Sequence, residues 1–146
     1  MSIVGSVVGW SVAGEGMART AFEELRVYRL AEKLADEVWD MVVQWDVFAR
    51  GALGEQNVAA ADSIGANIAE GAGRGSYKEN RRFVRVARGS LNEVKHFLRR
   101  AYRRKLISDD TVTRLKPITD ELAPMLNAYL RSIGTRRIED ARPDDR

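Results

Sequence analysis

The sequence predicts an all-α protein folded as an antiparallel up-down-up-down four-helix bundle. Three observations carry this. Apolar residues recur at three- and four-residue steps in four successive segments. The links between these segments are short, which leaves sequential helices little choice but to pack antiparallel. No stretch shows the two-residue alternation of a half-buried strand. At 146 residues the chain is the size of one domain, able to bury about two-thirds of its unfolded surface. The expected organisation is an N-terminal extension over residues 1–20, the bundle over 21–134 and a charged tail over 135–146.

Residues 1–20 are apolar and punctuated by Gly5, Gly9, Gly14 and Gly16, with no Lys or Arg before Arg19. A secretory signal wants a positive start before an unbroken apolar run. Met17 is the expected natural start. The first helix is expected over residues 21–49, on a stripe of Val27, Leu30, Leu34, Val38, Met41, Trp45 and Phe48. Ala31, Ala35, Trp39 and Val42 widen that stripe, and Trp39 and Trp45 read as packing residues. Arg50-Gly51-Ala52-Leu53-Gly54 reads as the loop that follows. The second helix is expected over 55–70, with Ile64 and Ile68 as anchors among alanines and glycines that permit close approach. Ser63, Asn67 and Glu70 share one of its faces. Gly71 offers the left-handed position that ends such a helix.

Ser76 and Glu79 form a capping box for the third helix, expected to run to about residue 105. Wound at 100° per residue, its apolar arc holds Phe83, Val86, Ala87, Ser90, Leu91, Val94, Phe97, Leu98 and Ala101. The fourth helix starts at Ser108 or Asp109 as N-cap. Val112, Leu115, Ile118, Leu122, Met125, Leu126, Tyr129, Leu130 and Ile133 mark its buried side. Pro117 and Pro124 inside it predict a bend or break, and Gly134 its end.

Charge is the strongest functional signal. The whole chain has 24 basic and 21 acidic residues, but residues 74–105 hold twelve of the basic ones and only Glu79 and Glu93 of the acids. That segment is +10 and the remainder −7. Arg74 lies just before the third helix. Lys78, Arg81, Arg82, Arg85, Arg88, Lys95, Arg99, Arg100 and Arg103 line its polar arc, a ridge of about 40 Å. An idle helix surface usually mixes signs. A one-signed ridge suits a polyanion or an acidic partner.

The same composition narrows the chemistry. There is no cysteine, so disulfides, thiolate metal sites and thiol nucleophiles are excluded, and His96 is the single histidine. No cofactor or metal is expected. No apolar run approaches the roughly 18 residues that span a bilayer, and a cytoplasmic protein with no membrane attachment is expected. Gly71 to Gly75 lacks the spacing and preceding strand of a phosphate-binding loop. Asn67 and Glu70 lack a second titrating group in reach, so general acid–base catalysis is not expected. They read instead as partners for backbone amides of the glycine turn. Gly89 and Ser90 read as positions of tight helix contact.

The run Ser63-Ile64-Gly65-Ala66-Asn67-Ile68-Ala69-Glu70-Gly71, with Gly73-Arg74, Ser76, Lys78-Glu79 and Arg82-Phe83, leads into the block Ala87-Arg88-Gly89-Ser90-Leu91-Asn92-Glu93. Together they resemble the signature of the 23S rRNA intervening-sequence proteins of bacteria. The chain is similar also to the accessory variability proteins of diversity-generating retroelements. The likeness spans about Phe22 to Ile133. It implies a four-helix protomer that assembles as a ring, typically a homopentamer, with no enzymatic activity. In the retroelement relatives it implies a basic ring that binds nucleic acid and a reverse transcriptase. Arg74, Lys78, Arg82, Arg85 and Arg88 inherit the role of basic contacts, and Ser63, Asn67 and Glu70 that of motif residues. The sequence departs from the family where two arginines usually precede the Ser-Ile pair. Here Ala59, Ala60, Ala61 and Asp62 stand instead, and Gly65 replaces the usual proline.

Two functions follow as expectations. The first is a non-catalytic oligomer that binds RNA or DNA backbone through the ridge, as an accessory to a nucleic-acid enzyme. The second is a scaffold whose ridge pairs with acids of a neighbouring subunit or partner, Glu23, Glu24, Glu32, Asp36, Glu37, Asp40, Asp120 and Glu121 among them.

Overall fold

The computed structural model describes residues 21–135; the expected extension at 1–20, with the proposed start at Met17, and residues 136–146 of the tail lie outside it. Within it a 3₁₀ turn, Ala21–Glu24, leads into α1, Arg26–Val42. Three consecutive pieces with helical backbone angles follow and together make α2: Val47–Ala49, the π-helical turn Arg50–Gly54, and Glu55–Ala72. Then come α3, Tyr77–Arg103, and α4, Asp109–Ser132.

Residue pairs fix the topology. Tyr28 and Ala31 lie against Gly65, and Val42 against Gly54, so α1 and α2 run in opposite directions. Gly71 lies against Asn80 and Phe83 while Ser63 bonds Ser90, so α2 and α3 do too. Arg81 reaches the Ile133 carbonyl and Arg88 reaches Asn127, which sets α4 antiparallel to α3. Both α1 and α3 pack on α2 and on α4, so α1 and α3 occupy opposite corners. The four-helix bundle is the one expected. Its core joins Leu34 and Val38 of α1, Ile64 and Ile68 of α2, Val84, Leu91 and Val94 of α3, and Leu115, Leu122 and Leu126 of α4.

The first link is not where the sequence placed it. α1 ends at Val42, and Asp46 caps α2 by accepting from the Ala49 amide at 2.9 Å. Trp45 is buried in the turn as a packing residue, but Trp39 is 56% and Phe48 82% exposed. The apolar stripe crossed a short turn without losing its apparent step, and so read as one long helix. Arg50–Gly54 is a π turn and not a loop. Gly54 presses against the end of α1, where a Cβ would stand 2.5 Å from Val42 Cγ1. The chain widens its helix at this crossing instead of leaving it.

The expected end of α2 also moves. Gly71 lies inside the helix, and the cap residue Gly73 has φ −84°, so no left-handed residue is used here. A Cβ on Gly71 would stand 2.6 Å from Asn80 Oδ1 and 2.9 Å from Phe83 Cβ. The glycine serves close approach of α3, not handedness. In α3 the buried line is Val84, Ala87, Ser90, Leu91, Val94 and Ala101; Val86, expected inside, is exposed. The true buried arc is rotated by part of a turn, toward Val84. Gly89, expected at a tight contact, is exposed with nothing near it. α4 runs unbroken through Pro117 and Pro124. Both prolines and the residues four earlier, Thr113 and Asp120, are exposed. Each proline withholds a donor from the carbonyl four residues earlier, and here that happens on the exposed side of the helix. Gly134, with φ +88°, follows the end of α4, where the sequence placed the stop.

Candidate nucleic-acid interface

Ser76 starts α3 by accepting from the Glu79 amide at 3.1 Å. Glu79 does not complete the capping box. Its carboxylate accepts from Arg82 at 3.1 Å, which holds its carboxyl below the usual range. From this start α3 runs straight past α2 and α4 and leaves its outer surface to solvent. His96 lies exposed on it, its ring edge-on to Phe97.

The basic residues divide by what already holds them. Arg74 pairs with Glu70 at 2.9 Å. Arg74 and Arg82 both lie over the Phe83 ring, at 5.1 and 4.4 Å from its centroid. Arg81 is half-buried and donates to the Ile133 carbonyl at 3.2 Å, an anchor of the C-terminal end of α4. Arg88 donates to Asn127 Oδ1 at 3.1 Å. Lys78, Arg85, Lys95, Arg99 and Arg103 are exposed and make no hydrogen bond or ion pair with any described residue. These five share one outer face at helical spacing. The expected ridge therefore exists, with Arg81 withdrawn into a structural role.

The motif residues on α2 do different work from that expected. Asn67 donates to both the Ser63 carbonyl and Ser63 Oγ, at 2.8 and 2.9 Å, and Ser63 Oγ lies 2.9 Å from Ser90 Oγ. This small polar knot ties α2 to α3. Neither Asn67 nor Glu70 caps the glycine turn; Glu70 is held by Arg74. Asn57, fully buried, has no hydrogen-bond partner for either amide atom among the described residues.

Acids gather on the other side of the bundle. Glu32, Asp36 and Asp40 of α1 and Asp62 of α2 are exposed. Partial burial, then the charge of Asp36, raises the Asp62 carboxyl above its usual value. Burial and the adjacent Glu32, which accepts from its hydroxyl at 3.1 Å, push Tyr28 up to about 12. Among the described residues no group of three His, Cys, Asp or Glu side chains is placed to hold a metal ion. No helix among them is long and apolar enough to cross a membrane.

Sequence reading missed the partners that lie across links. Arg81 with Ile133, Arg88 with Asn127 and Tyr102 with Asp109 join different helices, and helical spacing within one segment cannot reveal them. The Asp-Val-Phe start of α2 was a legible cap signal, masked by the apolar stripe running through it.

No curated protein matches the chain. The profile of the 23S rRNA-intervening sequence protein family matches residues 23–128, from the 3₁₀ turn to the last turns of α4. The chain belongs to the family of 23S rRNA-intervening sequence proteins.

Proposed function

We propose that this protein is a non-catalytic nucleic-acid-binding bundle that engages phosphates along the outer face of α3. The observation that supports this is the set of five cations, Lys78, Arg85, Lys95, Arg99 and Arg103, on one exposed face and without a partner among the described residues. Lysines and arginines that neutralise phosphates release condensed counterions, and this drives binding without reading sequence. A cation already held by a carboxylate releases less, so the unpartnered five matter most. The proposed working form is a homo-oligomer, a pentamer by family likeness, in the cytoplasm. Its proposed role is accessory to a nucleic-acid enzyme such as a reverse transcriptase.

The test is a mobility-shift titration with single- and double-stranded RNA and DNA, at low and high salt. Arg85→Glu combined with Arg99→Glu is expected to lower affinity at least tenfold at low salt. Unchanged affinity would contradict the proposal.

One observation favours a second reading, an assembly scaffold. Trp39, Val47 and Phe48 are exposed at the α1–α2 turn, Val47 by 76% and Phe48 by 82%. Exposed apolar clusters rimmed by charge mark protein interfaces. Light scattering on the eluting protein separates the readings. Charge reversal on α3 that dissociates an oligomer favours the scaffold; reversal that releases nucleic acid from an intact oligomer favours the first.

A further inference from the structure

The two ends of the ridge differ in shape as well as in charge. Near its C-terminal end stands Tyr102, 49% exposed. Its hydroxyl donates to Asp109 Oδ1 at 2.7 Å, so the first turn of α4 holds the ring in place. Two hollows adjoin it, and Tyr102 lines both. One, of about 450 Å³, has Leu98, Ile107 and Leu115 among its lining together with Lys95 and Arg99. The other, of about 550 Å³, is lined by Ile107 and Ser108 with Arg103 and Lys105. None of these four cations has a partner among the described residues.

A bare phosphate has no use for an apolar floor or an aromatic ring. A nucleobase uses both. Each base has a π-face that stacks on an aromatic side chain whatever its identity, while the strand's phosphates follow a cationic groove. In a duplex those faces are covered by neighbouring base pairs, and only the backbone and the base edges are on offer. Lys116, in the first hollow, is held by Asp120 at 2.7 Å and adds little to its anion affinity. Asp109 and Asp120 at the rims are acceptors suited to base N–H groups rather than to phosphates.

We infer that this end of α3 binds unpaired nucleotides, with bases stacked on Tyr102 in the two hollows and phosphates on Lys95, Arg99, Arg103 and Lys105. The inference rests on the nucleic-acid reading above and narrows it, to single strands in preference to duplex.

Fluorescence anisotropy with labelled oligouridine and oligothymidine, and with RNA and DNA duplexes of equal length, tests this on the full chain. Tyr102→Leu and Tyr102→Gln both suit an exposed helical position, and circular dichroism checks their fold. Stacking on one aromatic is commonly worth about tenfold in affinity. Both variants are expected to lose about tenfold on single strands and less than twofold on duplex. Tyr102→Phe, which keeps the ring, is expected to retain most single-strand affinity. Variants that match the unaltered protein on single strands, or that lose equally on both polymers, overturn the inference and leave the ridge reading standing. An unaltered protein that binds neither polymer overturns both.

Discussion

The first and last turns of α3 carry the same kind of side chain and offer it differently. At the N-terminal end Arg74 and Arg82 are held by Glu70 and Glu79 and lie over Phe83, and Arg81 is tied to the end of α4. At the C-terminal end Lys95, Arg99 and Arg103 have no such partner among the described residues, and they border hollows beside a fixed tyrosine. Formal charge along a helix therefore overstates what a polyanion meets. The N-terminal arginines are partly spent on joining helices. The C-terminal cations, with Lys78 and Arg85, are what remains for a ligand.

The most severe way to break this comparison is charge reversal at the open end. Arg99→Glu with Arg103→Glu is expected to cut affinity for nucleic acid about a hundredfold at low salt, because two released-counterion contacts become repulsive. Arg74→Gln with Arg82→Gln at the held end is expected to cost less than threefold. Equal losses in titrations of the two variants would erase the distinction between the ends.

A second change acts through the junction that fixes the N-terminal end. Gly71→Ala places a methyl 2.9 Å from Phe83 Cβ and 3.1 Å from the Asn80 carbonyl oxygen, atoms that cannot swing aside. Overpacking of this kind costs about 1–3 kcal/mol, and thermal melting is expected to show a fall of several degrees. A melting point equal to that of the unaltered protein would mean that α2 and α3 cross less tightly than described.

The smallest expected effect lies on the acidic side that balances α3. The Asp62 carboxyl titrates above its ordinary value, so the folded state favours its protonated form and ionisation works against folding. Asp62→Asn is expected to raise stability slightly at pH 7, the effect being small because the group is largely exposed. The gain is expected to vanish below the ordinary carboxylate value of 3.8, where the acid is protonated in both states. Melting curves at the two pH values check the sign.

How far the sequence could be read follows from the range of the interactions. Periodicity within a segment gave the four helices and the polar face of α3, because helical spacing is local. Phe48 misled because a four-residue turn preserved the apparent step of an apolar stripe that had in fact ended, while Trp39, still inside α1, lies off the buried line of that helix. Gly71 was marked as special, but glycine permits both left-handed backbone and close approach, and only the position of α3 decides between them. The polar face of α3 was legible; its division into held and open cations was not. That division depends on Glu70, Ile133 and Asn127, which reach the ridge from other helices or from beyond a turn.

The central claim, that unpartnered cations on α3 meet phosphates, is tested most directly by the salt dependence of oligonucleotide binding. Five such contacts on a single strand give a slope of log affinity against log salt of about −3.5. Removing Arg99 and Arg103 by charge-neutral substitution should flatten it by about 1.4. A slope shallower than about −1 in the unaltered protein, or one that these substitutions leave unchanged, would contradict the account.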